Sequence, residues 1–277
     1  MNWPNKRVKV HQSFYTFALM NISFYKYQGT GNDFVMIDNR IDCFPKNDSE
    51  FVKKLCDRRF GIGADGMILL EEHPSLDFRM VYYNADGNLS SMCGNGGRCI
   101  VKFAKQLGVI GDFAKFEAVD GLHEATIVED RVLLKMNDVK DIHISENYTF
   151  LNTGSPHHVE LVENLKDFDV KINGAFIRYN IYGTEGANVN FVEQIEQDIF
   201  TVRTYERGVE DETLSCGTGV TAVALSLFEK KIVNSKKVIL KTPGGVLTVR
   251  FDHSNDGYTN IYLEGSASFV FKGIWVW

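Results

Sequence analysis

One short pattern occurs twice in this chain and constrains its fold more than any other feature. Met92-Cys93-Gly94-Asn95-Gly96-Gly97 and Ser215-Cys216-Gly217-Thr218-Gly219-Val220 both read Cys-Gly-polar-Gly. Each follows an acidic, turn-rich stretch, Asn84-Ala85-Asp86-Gly87 in one case and Glu206-Arg207-Gly208-Val209-Glu210-Asp211 in the other. Each runs into an apolar segment of helical character, Cys99 to Leu107 and Val220 to Phe228. The frame sets each thiol at the start of a helix, where unpaired N–H groups and the helix dipole favour a thiolate and can hold an anion. One such site suggests a nucleophile. Two suggest a pair of thiols serving one substrate from opposite sides.

The repeat extends beyond the cysteines. The first half runs from Gly31-Asn32-Asp33-Phe34-Val35 through a strand ending near Asn84 to the Cys93 turn and helix. The second runs from Ala187-Asn188-Val189-Asn190-Phe191-Val192 through a strand ending near Tyr205 to the Cys216 turn and helix. Two similar β-rich domains facing each other across a cleft are expected, with the seam at Asn137 to Asp141, where a strand pattern ends in polar turn residues. Strand patterns cover Ile22 to Tyr27, Phe34 to Ile37, Asp77 to Tyr83, Glu124 to Val128, Val132 to Met136, His158 to Val162, Ile199 to Thr204, Val238 to Lys241 and Val246 to Phe251. Helical patterns are fewer: Glu50 to Arg58, Arg98 to Leu107 and Val220 to Glu229.

Composition narrows the function. A net charge of −6, with no basic stripe carrying aromatics, argues against a nucleic-acid partner. No apolar run is long enough to span a bilayer as a helix. Five cysteines are an odd count for a disulfide framework, which favours a reducing cytoplasm. Cys43, Cys56 and Cys99 read as structural; Cys99 falls well round the helix from Cys93, at about 100° per residue. No Cys/His cluster has metal-ligand spacing. Residues 1–19, with a basic patch at Lys6, Arg7 and Lys9, read as a non-native or disordered extension ahead of a start at Met20.

Over Ile22 to Gly273 the chain resembles the diaminopimelate epimerases, a family of cofactor-independent, two-cysteine amino-acid epimerases. The resemblance rests on Gly31-Asn32-Asp33-Phe34, Gly61-Ile62-Gly63-Ala64-Asp65-Gly66, Asn84-Ala85-Asp86-Gly87, Cys93-Gly94-Asn95-Gly96-Gly97-Arg98-Cys99, Tyr205-Glu206-Arg207-Gly208 and Ser215-Cys216-Gly217-Thr218-Gly219, in that order. It implies an α/β (α+β) fold of two pseudo-symmetric domains, each a curved, mainly antiparallel sheet around a central helix. The domains would span about 20–137 and 138–263, with residues 264–277 returning to the first.

The reaction implied is conversion of LL-2,6-diaminoheptanedioate to the meso form, a step in making lysine and peptidoglycan precursors. Inverting a carbon means taking a proton from one face and delivering one to the other. A thiolate and a thiol suit this, because they exchange roles when the reaction reverses. By resemblance Cys93 and Cys216 are that pair, and no cofactor or metal takes part. The N–H groups of Gly94, Asn95, Gly217 and Thr218 would hold the reacting carboxylate. Asn32, Asn84, Asn188, Glu206 and Arg207 would hold the distal amino-acid end, while His157 and Glu206 would tune the thiols. A small-molecule substrate, no membrane partner and a homodimer are likewise implied.

Three departures from the family pattern stand out. Ser155 occupies the place of an Asn in a Gly-Asn-Pro-His turn, so its ligand contact is an open expectation. Gly66 stands where some relatives carry Gln, and the segment from Arg207 to Cys216 is longer, with Glu210-Asp211-Glu212 adding negative charge. Two rival readings are a proline or hydroxyproline racemase-like enzyme of the same fold and a non-catalytic, thiol-containing binding or redox protein. The distal set around Arg207 argues against the first, and the lack of Cys-x-x-Cys against a redox motif.

Overall fold

The computed structural model describes residues 21–90 and 92–276; the expectation for residues 1–19 lies outside them. The first half contributes β1 (Asn21–Gly29), β2 (Asn32–Asp38), α1 (Ser49–Cys56), β3 (Gly66–Glu71), β4 (Phe78–Asn84), α2 (Gly94–Gln106), β5 (Phe113–Ala118), β6 (Gly121–Val128) and β7 (Arg131–Lys135). The second contributes β8 (Ile142–Ile144), β9 (Tyr148–Asn152), β10 (Pro156–Leu161), α3 (Val170–Asn180), β11 (Asn188–Glu196), β12 (Ile199–Glu206), β13 (Asp211–Thr213), α4 (Gly217–Glu229), β14 (Lys237–Thr242), β15 (Gly245–Ser254), β16 (Gly257–Ser266) and β17 (Ser268–Val276).

Strand pairing repeats between the halves. β1–β2 is antiparallel, β2–β3 parallel, β3–β4 antiparallel, β4–β5 parallel, and β5–β6–β7 antiparallel. The second half runs through β9–β10, β10–β11, β11–β12, β12–β14 and β14–β15–β16 with the same sequence of orientations. Each parallel step needs a crossover, and each has a helix to make it: α1 and α2 in one half, α3 and α4 in the other. The sheet is therefore mostly antiparallel, as expected. β16 pairs with β7 and β17 with β1, so strands late in the chain close onto early ones.

The two central helices are buried on nearly every side. α2 packs on β1, β2, β3, β6 and β7, and α4 on β9, β10, β11, β14, β15 and β16. Gly94 to Val101 are all buried in α2, and Val220 to Leu227 in α4. A helix as predominantly apolar as α4 is stable only when wrapped, and its half supplies the strands.

Both helices begin earlier than their apolar patterns suggest, at Gly94 and Gly217, because the glycine-rich first turn hides helical periodicity. α3 has no counterpart among the expected helices. Its apolar side chains do not segregate: Val170 and Ile177 are buried, while Ile172, Phe176 and Tyr179 are exposed. Its one clear signal is Asp169, whose side chain accepts the Ile172 N–H as an N-cap.

Candidate active site

Cys93 and Cys216 are the N-cap residues of α2 and α4. The first helical bonds run from Gly97 N–H to Cys93 C=O (2.7 Å) and from Val220 N–H to Cys216 C=O (3.0 Å). The N–H groups of Gly94, Asn95 and Gly96, and of Gly217, Thr218 and Gly219, therefore lie outside the helical ladder. The two helix starts touch. A Cβ built on Gly217 would lie 3.2 Å from Gly94 Cα, and one on Gly94 would lie 3.4 Å from Gly217 Cα. Leu263 Cδ2 closes the other side, 2.9 and 3.0 Å from the same two positions. Only glycine lets the helix ends come this close. Two positive dipole ends meeting head to head repel each other, and an anion between them relieves that repulsion.

Around Cys93 the side chains are locked by charge. Asn32 Nδ2 donates to Asp65 Oδ2 (2.6 Å), which turns Asn32 Oδ1 toward the thiol at 3.6 Å. Arg58 bridges Asp65 and Asp33, and Lys26 pairs with Asp33 at 2.7 Å. Burial works against the Asp33 carboxylate, but Arg58 and Lys26 win and hold it well below the usual range. Beneath the thiol, Arg98 is fully buried, and its hydrogen-bond partners among the described residues are all neutral: Asn95 Oδ1 (2.9 Å), Thr30 Oγ1 (3.1 Å), Gly94 C=O (3.1 Å) and Ser266 C=O (3.4 Å). Thr30 also meets Ser215 Oγ at 2.8 Å, and Asn95 Nδ2 donates to Ser215 C=O at 3.0 Å. This knot ties the start of α2 to the Cys216 turn.

Cys216 has a different neighbourhood. Its sulfur lies 3.5 Å from Thr218 Oγ1, which lies 2.9 Å from His157 Nε2. Burial pushes both thiols up, and the Glu206 carboxylate adds to this at each. Against it work the N–H groups of Gly96 and Asn95 and the Arg98 charge at Cys93, and the Thr218 hydroxyl and Gly219 N–H at Cys216. Burial also raises Glu206 itself, despite the Thr213 hydroxyl donating to it at 2.9 Å. Burial and the Arg207 charge bring His157 down to about 3, so it is neutral at physiological pH.

The remaining candidates form a second cluster. Asn188 Nδ2 donates to Ser155 Oγ (2.9 Å) and Asn188 Oδ1 accepts the Arg207 N–H (2.9 Å). Arg207 is exposed; its guanidinium donates to Glu185 C=O at 2.9 Å and reaches Ser155 Oγ at 3.5 Å. Ser155 thus joins the group that its missing amide had left open. Asn84 stands exposed at the end of β4, in register with Gly66 on β3. At Gly66 a Cβ would fall 2.6 Å from Tyr82 Cε2, so the tyrosine ring fills the space a side chain would need. Asn32 stands on the Cys93 side rather than with Asn188 and Arg207.

Thr30, Arg98, Asn190 and Ser215 were not singled out from sequence. Asn190 had a usable signal, since Asn188 and Asn190 alternate on one face of β11. Nothing in the sequence marks Arg98 as buried, because arginine is almost never fully buried unless paired.

Comparison with known proteins agrees with this architecture. The family model described as diaminopimelate epimerase matches residues 24–141 and 149–270. The diaminopimelate epimerase of Flavobacterium psychrophilum is 58% identical over 90% of this chain and 98% of its own length. That of Chlorobaculum tepidum is 46% identical over 88% and 98%. Among solved structures, a Bacillus anthracis phenazine biosynthesis protein of the PhzF family matches with TM-score 0.75 at 13% identity, covering 92% of this chain and 99% of that one. A probable proline racemase from Agrobacterium radiobacter matches with TM-score 0.66 at 14% identity, covering 91% and 92%. At such identity these two show a shared fold alone. The coverage and identity of the curated relatives go further: the chain belongs to the diaminopimelate epimerase family.

Proposed function

We propose that this chain inverts one α-carbon of 2,6-diaminoheptanedioate, interconverting the LL and meso forms without a cofactor, as an isomerase of lysine and peptidoglycan precursor synthesis. The observation that carries the reading is the contact of two Cys-capped helix starts at Gly94 and Gly217, in a chain of this family. One thiolate takes the α-proton while the opposite thiol delivers its own to the other face. The carbon is inverted and the thiols have exchanged protonation states, so charge and protons balance. The reacting carboxylate lies against the N–H groups of Gly94, Asn95, Gly217 and Thr218, which stand outside the helical ladder, and the convergent dipoles stabilise the charge that develops as the α-hydrogen leaves.

The cluster of Asn188, Ser155 and Arg207, with Asn84 and Glu206, is our candidate for holding the distal amino-acid end. Arg207 supplies the planar fork a carboxylate accepts, and Glu206 an acceptor for the ammonium. Asn32 serves beside Cys93, and His157 acts on Cys216 through Thr218. We assign the two halves to about 20–137 and 138–263, with residues 264–277 completing the first. A homodimer is supported by β17, which pairs only with β1 among the described residues and exposes Phe269, Val270, Phe271, Ile274 and Val276. Free thiols at all five cysteines favour the cytoplasm; among the described residues no helix is long and apolar enough to cross a membrane.

Replacing either Cys93 or Cys216 with Ala tests the reading. Each variant should fold and lose epimerisation, and the Ser variants should retain only weak activity, because a hydroxyl is a far poorer base at neutral pH. Near-normal turnover by either Ala variant would rule out the two-thiol reaction.

A further inference from the structure

The two thiols face hydrogen-bonding groups of opposite sense. At Cys93 the side-chain neighbour is Asn32 Oδ1, an acceptor, beside the backbone N–H groups of Asn95 and Gly96. Its orientation is fixed, because Asn32 Nδ2 is taken by the Asp65 carboxylate at 2.6 Å and a carboxylate can only accept. A thiol donates comfortably to that oxygen; a thiolate is repelled by it. At Cys216 the neighbour is the Thr218 hydroxyl, which either donates or accepts. Which it does depends on His157, and His157 depends on Asn190.

Asn190 is fully buried and all of its amide is engaged. Its Nδ2 lies 2.9 Å from the His158 C=O, which can only accept, and its Oδ1 lies 3.0 Å from Thr204 Oγ1. The amide cannot flip without placing its oxygen against a carbonyl oxygen. Nδ2 therefore also donates to His157 Nδ1, at 3.2 Å. Nδ1 is then the bare nitrogen of the ring and Nε2 carries the hydrogen. That hydrogen points at Thr218 Oγ1, which accepts it and turns its own hydrogen to its one other partner among the described residues, the sulfur of Cys216. The packing is close: a Cβ on Gly219 would collide with Asn190 Oδ1 and crowd Cys216 Sγ at 3.3 Å.

We infer that Asn190 is a positioning residue which, through the His157 tautomer and the Thr218 hydroxyl, presents a fixed donor to Cys216, so that the ligand-free protein rests with Cys216 as thiolate and Cys93 as thiol. The charged and titratable groups around the pair are Glu206 facing both thiols, Arg98, Cys99 and Tyr82 beside Cys93, Arg207 beside His157, and each thiol for the other. Glu206 opposes a thiolate at both sulfurs. Arg98 favours a thiolate at Cys93 and opposes the assignment, but four of its five N–H donors go to Asn95, Thr30, Gly94 and Ser266 rather than to the sulfur. The contrast that sets the inferred order is between side chains, a donor against Cys216 and an acceptor against Cys93. The N-terminal amides do not cancel: Asn95 and Gly96 of α2 bear on Cys93 and Gly219 of α4 on Cys216, so the backbone, like Arg98, opposes the assignment.

The assignment rests on the two-thiol reading above, and its test is read without substrate, so each can fail alone. The ligand-free protein is alkylated with iodoacetamide across a pH series, and each cysteine is followed by peptide mass spectrometry. The midpoint of the pH dependence is the measure, since absolute rates also reflect exposure. The expected result is a lower midpoint at Cys216 than at Cys93. Thr218→Val should raise the Cys216 midpoint by one pH unit or more and leave Cys93 within a few tenths, while Thr218→Ser should restore it. Nitrogen-15 NMR of the native protein should show His157 with Nε2 protonated, and Asn190→Asp, which puts an acceptor against Nδ1, should move the proton to Nδ1 and raise the Cys216 midpoint. Should Asn190→Asp not fold, the Thr218 pair and the native tautomer still decide the matter. A lower midpoint at Cys93, an unmoved Cys216 in Thr218→Val, or a native Nδ1–H tautomer would each overturn the inference.

Discussion

Replacing Gly217 with Ala adds one methyl group at the point where the two helix starts meet. Its Cβ would sit 2.9 Å from Leu263 Cδ2 and 3.2 Å from Gly94 Cα. The leucine end can swing aside, but the Gly94 backbone cannot. Restoring a carbon–carbon separation of about 3.8 Å needs the helices to part by roughly half an ångström. Overpacking of this kind costs about 1–3 kcal/mol, and the better helix propensity of Ala over Gly returns about 1 kcal/mol. The net loss of stability is therefore about 0–2 kcal/mol, a fall of a few degrees in Tm. Rate should suffer more, because a misplacement of about 1 Å at a reacting centre can cost a hundredfold. We expect kcat/KM for diaminopimelate to drop at least tenfold, about 1.4 kcal/mol, in protein that is still folded at the assay temperature. Initial rates of meso product formation and thermal unfolding on the same preparation measure both. Adding Leu263→Val removes the side-chain clash but not the backbone one, so it should recover stability more than rate. Gly217→Ala with kcat/KM within twofold of the parent would show that helix contact does not set the geometry of the reaction.

Three further outcomes follow from the same geometry. Arg207→Lys keeps the charge but loses the planar fork, and should lower kcat/KM for diaminopimelate more than tenfold, while proline stays a poor substrate for the parent; equal rates on proline would refute the distal assignment. Mild oxidation without substrate should inactivate the protein reversibly through a Cys93–Cys216 disulfide seen by mass spectrometry; links confined to Cys43, Cys56 or Cys99 would contradict it. His157, brought down to about 3 by burial and Arg207, binds a proton more readily in the unfolded chain, so its stabilising effect is full above pH 6.5 and declines as pH falls toward 3. Between pH 6 and pH 4 the parent should lose on the order of 2 kcal/mol more unfolding free energy than His157→Gln, and equal slopes would refute the buried neutral imidazole.

Much of the frame was legible in the chain. Cys93 and Cys216 stand at helix starts because a Cys-Gly-polar-Gly turn before an apolar run encodes an N-cap in local chemistry alone. The strands were legible from short alternating runs such as Val246 to Phe251 within β15, while their mostly antiparallel pairing came from the resemblance. What the chain hid depends on contacts between distant segments. α3 buries only part of its apolar surface, so its periodicity is blurred. β17 exposes most of its side chains and owes its strand to β1, nearly the whole chain away. Arg98 looks like any helix arginine until Thr30, Asn95 and Ser266 enclose it. The path from Asn190 to Cys216 crosses β11, β10 and the start of α4, and no local spacing announces it. The resemblance supplied the candidate roles of Asn32, Asn84, Asn188, Glu206 and Arg207; turn chemistry alone would have accounted for the asparagines.

The central claim is proton exchange at one α-carbon by two opposed thiols, and solvent isotope is its most direct probe. LL-diaminopimelate is incubated with the protein in heavy water, and early product is analysed by mass spectrometry. Delivery from the opposite thiol predicts meso product carrying one solvent deuterium at the inverted carbon from the first turnovers, and none with Cys93→Ala or Cys216→Ala. Inversion that keeps the original hydrogen, or no inversion and no deuterium uptake by the native protein, would contradict it.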